Sequence, residues 1–454
     1  MTIIMRRGFL ILLTTLFGIS TFACGCTKPD APNNDNSENG LEPMPTVERY
    51  DLFEVKSTED IPYRIPSLAV TRTGRLIAVV DYRHSHSDIG VVNNGRIDLH
   101  YRISDDHGHT WSETRTLIEG KGEAATDFMS VGYGDPCIVA DRESDRVLVM
   151  SCAGNVSFQS GTRQRHQNIA RFYSEDCGES WSAPEDIAET IYSQFDNSKY
   201  GPVRSMFVAS GRIMQSSTVK VGSHYRLYCA VLIRDKSATH MNYVLFSDDF
   251  GESWRVLGDI DEPAVYRTAD EPKVEELPNG SVLISSRVDG GRYYNIFTYS
   301  DITTGAGTWD EAQFSGATNS GVTAIQNSTN GEVVVVPVVR IADNEPMHIL
   351  LQSIPMGPQR ANVGIYYKEL AVEEEDYLTP YELAPQWDGS LQVSTLNSAY
   401  STMIWQKDRN LGILFEEETY GVSAHAHGGY NIVYESYSLE EITEGKYKYA
   451  PTKQ

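Results

Sequence analysis

A polar turn followed by a short apolar strand recurs six times along this chain, as "TGRLIAVV", "SDRVLVMS", "SGRIMQSS", "NGSVLISS", "NGEVVVVP" and "RNLGILFEE". The turn residues Gly74, Asp145, Gly211, Gly280, Gly331 and Asn410 stand 51 to 79 residues apart, room for one small antiparallel sheet per interval. Long helical periodicity is almost absent, so no helices are available to cover these sheets. A second repeat runs behind the first: "SDDHGHTW" at 104–111, "SEDCGESW" at 174–181 and "SDDFGESW" at 247–254, with a stretched copy, "SDITTGAGTW", ending at Trp309. In this S-x-D-x-G-x-[TS]-W pattern, the Asp box, Asp106, Asp176 and Asp249 can accept backbone N–H bonds within the turn. Glycine supplies a permissive backbone angle there, and tryptophan packs between sheets. These aspartates read as structural, not catalytic. Six short sheets in series favour radial closure over a sandwich, which predicts an all-β, six-bladed β-propeller over residues 45–454. The early strand "TVERYDLFEV" and the late strand "YNIVYESYSL" are placed to close the ring by sharing a blade.

Ahead of the repeats stands "MTIIMRRGFLILLTTLFGISTFACGC", with basic Arg6 and Arg7, an apolar run from Phe9 to Phe17 and small residues before cysteine. This reads as a secretion signal rather than a membrane span. Because it ends in cysteine and leads into the polar "TKPDAPNNDNSENG", residues 1–26 resemble a bacterial lipoprotein signal peptide, with Cys24 or Cys26 lipidated and 27–44 as a tether. The expected location is outside the cytoplasm, lipid-anchored to a bacterial membrane, periplasmic or at the cell surface. Four cysteines remain, Cys137, Cys152, Cys177 and Cys229, without a CxxC metal spacing. Cys137 and Cys152 are equidistant from the centre of a hairpin, which leaves a disulfide and two buried thiols as open alternatives. The formal net charge of -24 argues against nucleic acid as a partner, so any anionic ligand must find a local positive pocket.

The turns also set a ruler. Arg64, Asp135 and Tyr400 lie ten residues before Gly74, Asp145 and Asn410, and Glu271 lies nine before Gly280. A strand of that length spans roughly 30 Å, so these residues share the end of the blades opposite the turn. The return strands bring Arg83 and Arg287 back to the same end. One face of the propeller therefore collects arginine, carboxylate and tyrosine, while Arg72 and Arg75 fall beside the turn at the far end and read as surface residues.

At this point the chain resembles a bacterial exo-α-sialidase (neuraminidase). The matching segments are "YRIPSL", "DYRHSHSDIG", "GDPCIVADRES", "DEPKVEELPNGSVLISSR", "QSIPMGPQRANVGIYY" and "NSAYSTM", together with the Asp boxes, spread over nearly the whole mature chain. The resemblance implies a sialidase-like propeller, no cofactor and no metal, and sialylated glycoproteins, glycolipids or oligosaccharides as substrates of a monomer. It implies that Arg64, Arg287 and Arg360 bind the sialic acid carboxylate, with Arg340 as the competing choice for the third; guanidinium forks suit a carboxylate and stay charged. It makes Tyr400 the nucleophile and Glu271 its base, with Glu275 and Glu276 as competitors. A phenol suits an anomeric centre that bears a carboxylate, which would repel an attacking Asp or Glu. Asp88 matches the acid/base residue. Arg83 and Asp135 resemble residues that hold the sugar's 4-hydroxyl and neighbouring amide side, although Asp135 also reads as a turn former before Pro136. The pairs His84/His86 and His425/His427 lack acidic partners at ligand spacing. A trans-sialidase would keep the same residues, whereas a sialic-acid-binding lectin would be expected to lose Tyr400, Glu271 or Asp88.

Overall fold

The computed structural model describes residues 44–450, apart from 58–59, 268, 327–328, 372 and 419–429. Its strands form six sheets, each a blade built mainly from consecutive antiparallel neighbours. Blade 1 contains Tyr63–Val70, Leu76–Arg83, Ile97–Ser104 and Arg115–Ile118, and blade 2 contains Tyr133–Ala140, Val147–Ala153, Asn168–Ser174 and Glu185–Asp186. Blade 3 packs a broken inner edge, Ser205–Val208 and Met214–Val221, against His224–Arg234 and His240–Ser247. Blade 4 begins with Pro272–Glu276, Val282–Val288 and Gly291–Asp301, and blade 5 with Val333–Arg340, Glu345–Pro355 and Val363–Leu370. Blade 6 joins both ends of the chain: after Ser398–Trp405, Leu411–Glu417 and Asn431–Tyr437, its outer strand is Tyr50–Phe53, with Tyr50 opposite Tyr434. This is the six-bladed β-propeller expected from the repeats, closed by the two strands expected to meet.

Two of the six turn–strand copies do different work from the other four. Gly74, Asp145, Gly280 and Asn410 stand between the first and second strands of blades 1, 2, 4 and 6. "SGRIMQSS", however, lies on the inner edge of blade 3, where Gly211 and Arg212 pair with Cys137 and Ile138 of blade 2, and "NGEVVVVP" enters the first strand of blade 5. A turn followed by an apolar run marks the start of a strand, not its order within a blade.

The core lies between blades. Val338, Ile349 and Ile365 of blade 5 pack in one buried cluster with Met403, Ile413 and Phe415 of blade 6. Each such side chain contributes about 1.5–3 kcal/mol by leaving water, so stability depends on neighbouring blades staying in contact. The Asp boxes clamp the outer turns as expected. In the third, Ser253 N and Oγ donate to Asp249 at 2.9 and 2.5 Å, and Gly251 N donates to Ser247 Oγ at 2.7 Å. In the first, Gly108 has φ of 96° and a Cβ there would stand 2.0 Å from the Tyr434 ring. Arg75 corrects the surface reading: it is buried, pairing with Asp105 of blade 1 and Glu179 of blade 2 at 2.6 Å each. Cys137 faces Met150 and Cys152 faces Gly134, so the two cysteines are offset and are buried free thiols. Among the described residues no helix is long and apolar enough to cross a membrane.

Two stability predictions follow from the outer turns and the ring closure. Asp249→Ala should lower unfolding stability by about 1–2 kcal/mol without altering the far end of the blades, as checked by denaturant unfolding. Glu435, on the closing blade, is buried and its carboxyl is pushed up to about 7 from the ordinary 4.5, despite accepting from Tyr437 Oη. The folded state thus keeps a proton that the unfolded chain releases, and stability is lost as pH rises from about 4.5 through about 7. Thermal melts of Glu435→Gln should exceed the parent at pH 8, with the gap closing toward pH 5.

Candidate active site

The first strands of blades 1, 2 and 6 share one irregularity at the same height. Between Arg64 and Ser67, Gly134 and Cys137, and Ser398 and Ser401, each first strand spends three residue steps where its partner spends two. One extra residue bends the strand and re-aims a side chain, and in these blades the bulges contain Ile65, Asp135 and Tyr400. Ile65 and Asp135 accordingly take φ of 53° and 55°. Blade 4 needs no bulge, because Glu271 lies just before its first strand and receives the N–H of Arg287 at 3.0 Å.

These devices bring Arg64, Asp88, Asp135, Glu271, Arg287, Arg360 and Tyr400 to the lining of one cavity of about 280 Å³. Three guanidinium groups converge on Tyr400. Arg287 Nη1 stands 3.3 Å from its hydroxyl, and the Arg64 and Arg360 Cζ atoms lie 5.8 and 5.9 Å from its ring centre. The hydroxyl itself donates to Glu271 Oε1 at 2.8 Å, while Glu271 Oε2 accepts from Arg287 at 2.9 Å. Burial, followed by the Glu271 charge, pushes the Tyr400 phenol well above its ordinary range. The resting hydroxyl is therefore protonated and already aimed at a carboxylate that can take the proton.

The arginines are not equivalent. Arg64 is forked onto Glu416 at 2.7 and 3.3 Å, and Arg287 is held by one oxygen of Glu271 at 2.9 Å. Arg360 has no carboxylate within ion-pair reach among the described residues, and its Nε is buried without a partner. Arg340, the competing choice, sits elsewhere, paired with Asp343 and Glu369. Arg83 is buried behind the cavity at 2% exposure, bound to Asp81, Asp88 and Asp135. Its charge, more than any other, holds the exposed Asp88 carboxyl below the ordinary range, whereas burial pushes Asp135 well above it and Asp81 up to about 6. Of the three carboxylates around this guanidinium, Asp135 is therefore the one whose charge is most disfavoured. Glu275 pairs with Arg212, and Glu276 accepts from Ser217 and Thr218. Both line a second cavity, of about 740 Å³, which holds none of the predicted site residues. His84 donates to or accepts from Asp98 at 2.9 Å, and His425 and His427 lie outside the described residues.

Two residues escaped the ruler. Glu416 holds Arg64 and also accepts the N–H groups of Ile65 at 2.8 Å and Tyr400 at 3.2 Å. Asp81 faces Arg64 across blade 1 and accepts the Asp135 N–H at 2.8 Å. Glu416 lies six residues after Asn410 on the return strand of blade 6, a slightly shorter count than the seven from Gly280 to Arg287. Gln167, 3% exposed, adds a lining amide whose Oε1 has no partner.

The family described as BNR repeat-like domain matches residues 93–408. A sialidase of Micromonospora viridifaciens is 31% identical over 317 residues, 64% of this chain and 44% of that protein. A sialidase of Clostridium perfringens is 22% identical over 373 residues, 78% of this chain and 86% of that one. Among solved structures, the Hadza microbial sialidase Hz136 aligns with a TM-score of 0.64 at 21% identity, covering 87% of this chain and 69% of that one. The intramolecular trans-sialidase from Ruminococcus gnavus aligns with a TM-score of 0.63 at 16% identity, covering 87% and 98%. The chain spans about half the length of several curated relatives, 44% to 57% of three of them.

Removing Glu416 leaves a buried guanidinium and two strand N–H groups unpaired. Glu416→Ala should therefore cost about 3–5 kcal/mol of stability, read as a fall in the denaturant midpoint, while an exposed control such as Glu113→Ala should leave it within about 0.5 kcal/mol.

Proposed function

The chain belongs to the sialidase family built on the BNR repeat-like domain, and from that premise we propose that it is a retaining exo-α-sialidase hydrolysing terminal α-linked sialic acids from glycoconjugates. The observation that carries this reading is the Tyr400 hydroxyl, held between Glu271 and Arg287 with two further guanidinium groups flanking its ring. Arg64, Arg287 and Arg360 bind the carboxylate of the sugar, which fixes the anomeric carbon against the phenol. Tyr400 attacks that carbon while its proton passes to Glu271, so no free phenolate has to exist beforehand. Asp88 gives a proton to the departing glycosidic oxygen. It then takes one from the water that cleaves the tyrosyl–sugar bond, and two inversions give net retention. A neutral nucleophile suits this substrate because its anomeric carbon already carries an anion.

Asp88 starts in the wrong protonation state for its first task, since Arg83, and then Arg64 and Arg360, hold it deprotonated. A bound carboxylate offsets the charge of Arg64 and Arg360, which raises Asp88 toward its working state. We also propose that the mature chain is exported and lipid-anchored through Cys24 or Cys26, the reading of its first 26 residues; palmitate labelling of Cys24→Ala and Cys26→Ala precursors tests it.

The direct experiment is release of a fluorescent aglycone from an α-linked sialoside, with the sugar product followed by proton NMR. Tyr400→Phe should lower kcat by about a hundredfold or more while free sialic acid still binds; wild-type turnover by this variant would sink the nucleophile assignment. Because the acid form of Asp88 is required and substrate raises it, the alkaline limb of kcat should lie at higher pH than that of kcat/KM. Asp88→Asn should lose about 10²–10⁴ in kcat on an alkyl sialoside and far less on an activated aryl one.

A further inference from the structure

Directly across blade 4 from Arg287 stands a second arginine that this mechanism leaves unused. Arg292 opposes Arg287 in the strand register and is fully buried. Its hydrogen bonds all go to neutral oxygens: Ser285 Oγ at 2.9 Å, Ser285 O at 2.7 Å and Asn330 Oδ1 at 3.3 Å. Its Nη1 has no partner. Asn330 in turn accepts the N–H of Ser401, the neighbour of Tyr400, so Arg292 stands behind the junction of blades 4 and 6.

This is a costly arrangement. Like charges directly opposite one another in a sheet repel, and a buried ion without a counter-ion loses its hydration with no compensation. Burial above all, with the Arg287 charge adding to it, accordingly lowers the Arg292 guanidinium to about 10. Charge counting in the site shows what the arrangement achieves. Glu416 already neutralises Arg64, and Glu271 already neutralises Arg287, so two of the three carboxylate-binding arginines arrive with their own anions. Arg360 and Arg292 are thus the two arginines around Tyr400 and Arg287 that have no carboxylate partner of their own among the described residues.

We propose that Arg292 is a positioning residue that acts through Arg287: its unpaired charge offsets Glu271 and turns the Arg287 guanidinium toward the cavity, strengthening the hold on the substrate carboxylate. This rests on the sialidase reading above, since it requires an anionic ligand at Arg287.

Two variants separate charge from bracing. Arg292→Gln keeps a donor toward Ser285 and Asn330 without the charge; Arg292→Lys keeps the charge. Calorimetric binding of free N-acetylneuraminic acid should weaken about tenfold in Arg292→Gln, with KM for the aryl sialoside rising in step and kcat within about threefold of the parent. Its thermal midpoint should equal or exceed the parent's, because an uncompensated buried charge has gone. Arg292→Lys should bind within about threefold of the parent at pH 6. It should then lose affinity relative to the parent as pH rises toward 9, because a buried ammonium sheds its proton where a guanidinium does not. This second readout stands even if Arg292→Gln fails to fold. Equal binding by Arg292→Gln and parent, or a Lys variant whose affinity tracks the parent across that range, would overturn the proposal. So would joint loss of binding and thermal midpoint in both variants, which marks a brace. A parent that binds no sialic acid would overturn the substrate reading and this one with it.

Discussion

Glu416 is the joint on which both the ring and the site depend. Its two oxygens take a guanidinium from blade 1, the N–H that follows it in the bulge, and the N–H of Tyr400 on blade 6. A propeller closed by strand pairing in its last blade still needs its first and last blades to agree in height at the functional end. A fully buried carboxylate that accepts from a guanidinium and two backbone N–H groups sets that height to within hydrogen-bond tolerance. Arg64 and the nucleophile candidate are therefore positioned by the same group, and neither can shift without the other.

Away from that joint the blades are ordinary. Their cores are apolar side chains shared between neighbours, the outer turns of blades 1, 2 and 3 are Asp-box clamps, and Arg75 ties blades 1 and 2 at the turn end. The opposite end adds aligned bulges, left-handed backbone at Ile65 and Asp135, and the ions gathered around Tyr400. Division of labour between the two ends lets one end bear destabilising features because the other is over-determined.

Much of this was legible in the sequence because two regularities coincide. Strand length is nearly constant from blade to blade, so counting back from Gly74, Asp145, Gly280 and Asn410 reached residues that line one cavity. The bulges were hidden, since one added residue does not visibly disturb a short apolar run. Pro66 and Pro136, placed inside first strands where a ladder N–H is missing, were the available sign. The same hidden residue displaced Cys137 from Cys152. Glu416 escaped because an acid at the end of an apolar strand reads as solvated until its arginine is known, and Arg75 because a turn arginine reads as exposed.

The way the chain enters the propeller has its own consequence. Asn410 Nδ2 donates to Met44 O at 2.9 Å, at the turn that lies ten residues from Tyr400, and Ala450 N reaches Pro337 O near the second cavity. Both ends of the described chain are thus gathered on the side of the disc away from the arginines. Any attachment made through the residues before 44 pulls on that underside. The mouth of the first cavity is left facing outward, where a ligand can approach without passing the point of attachment.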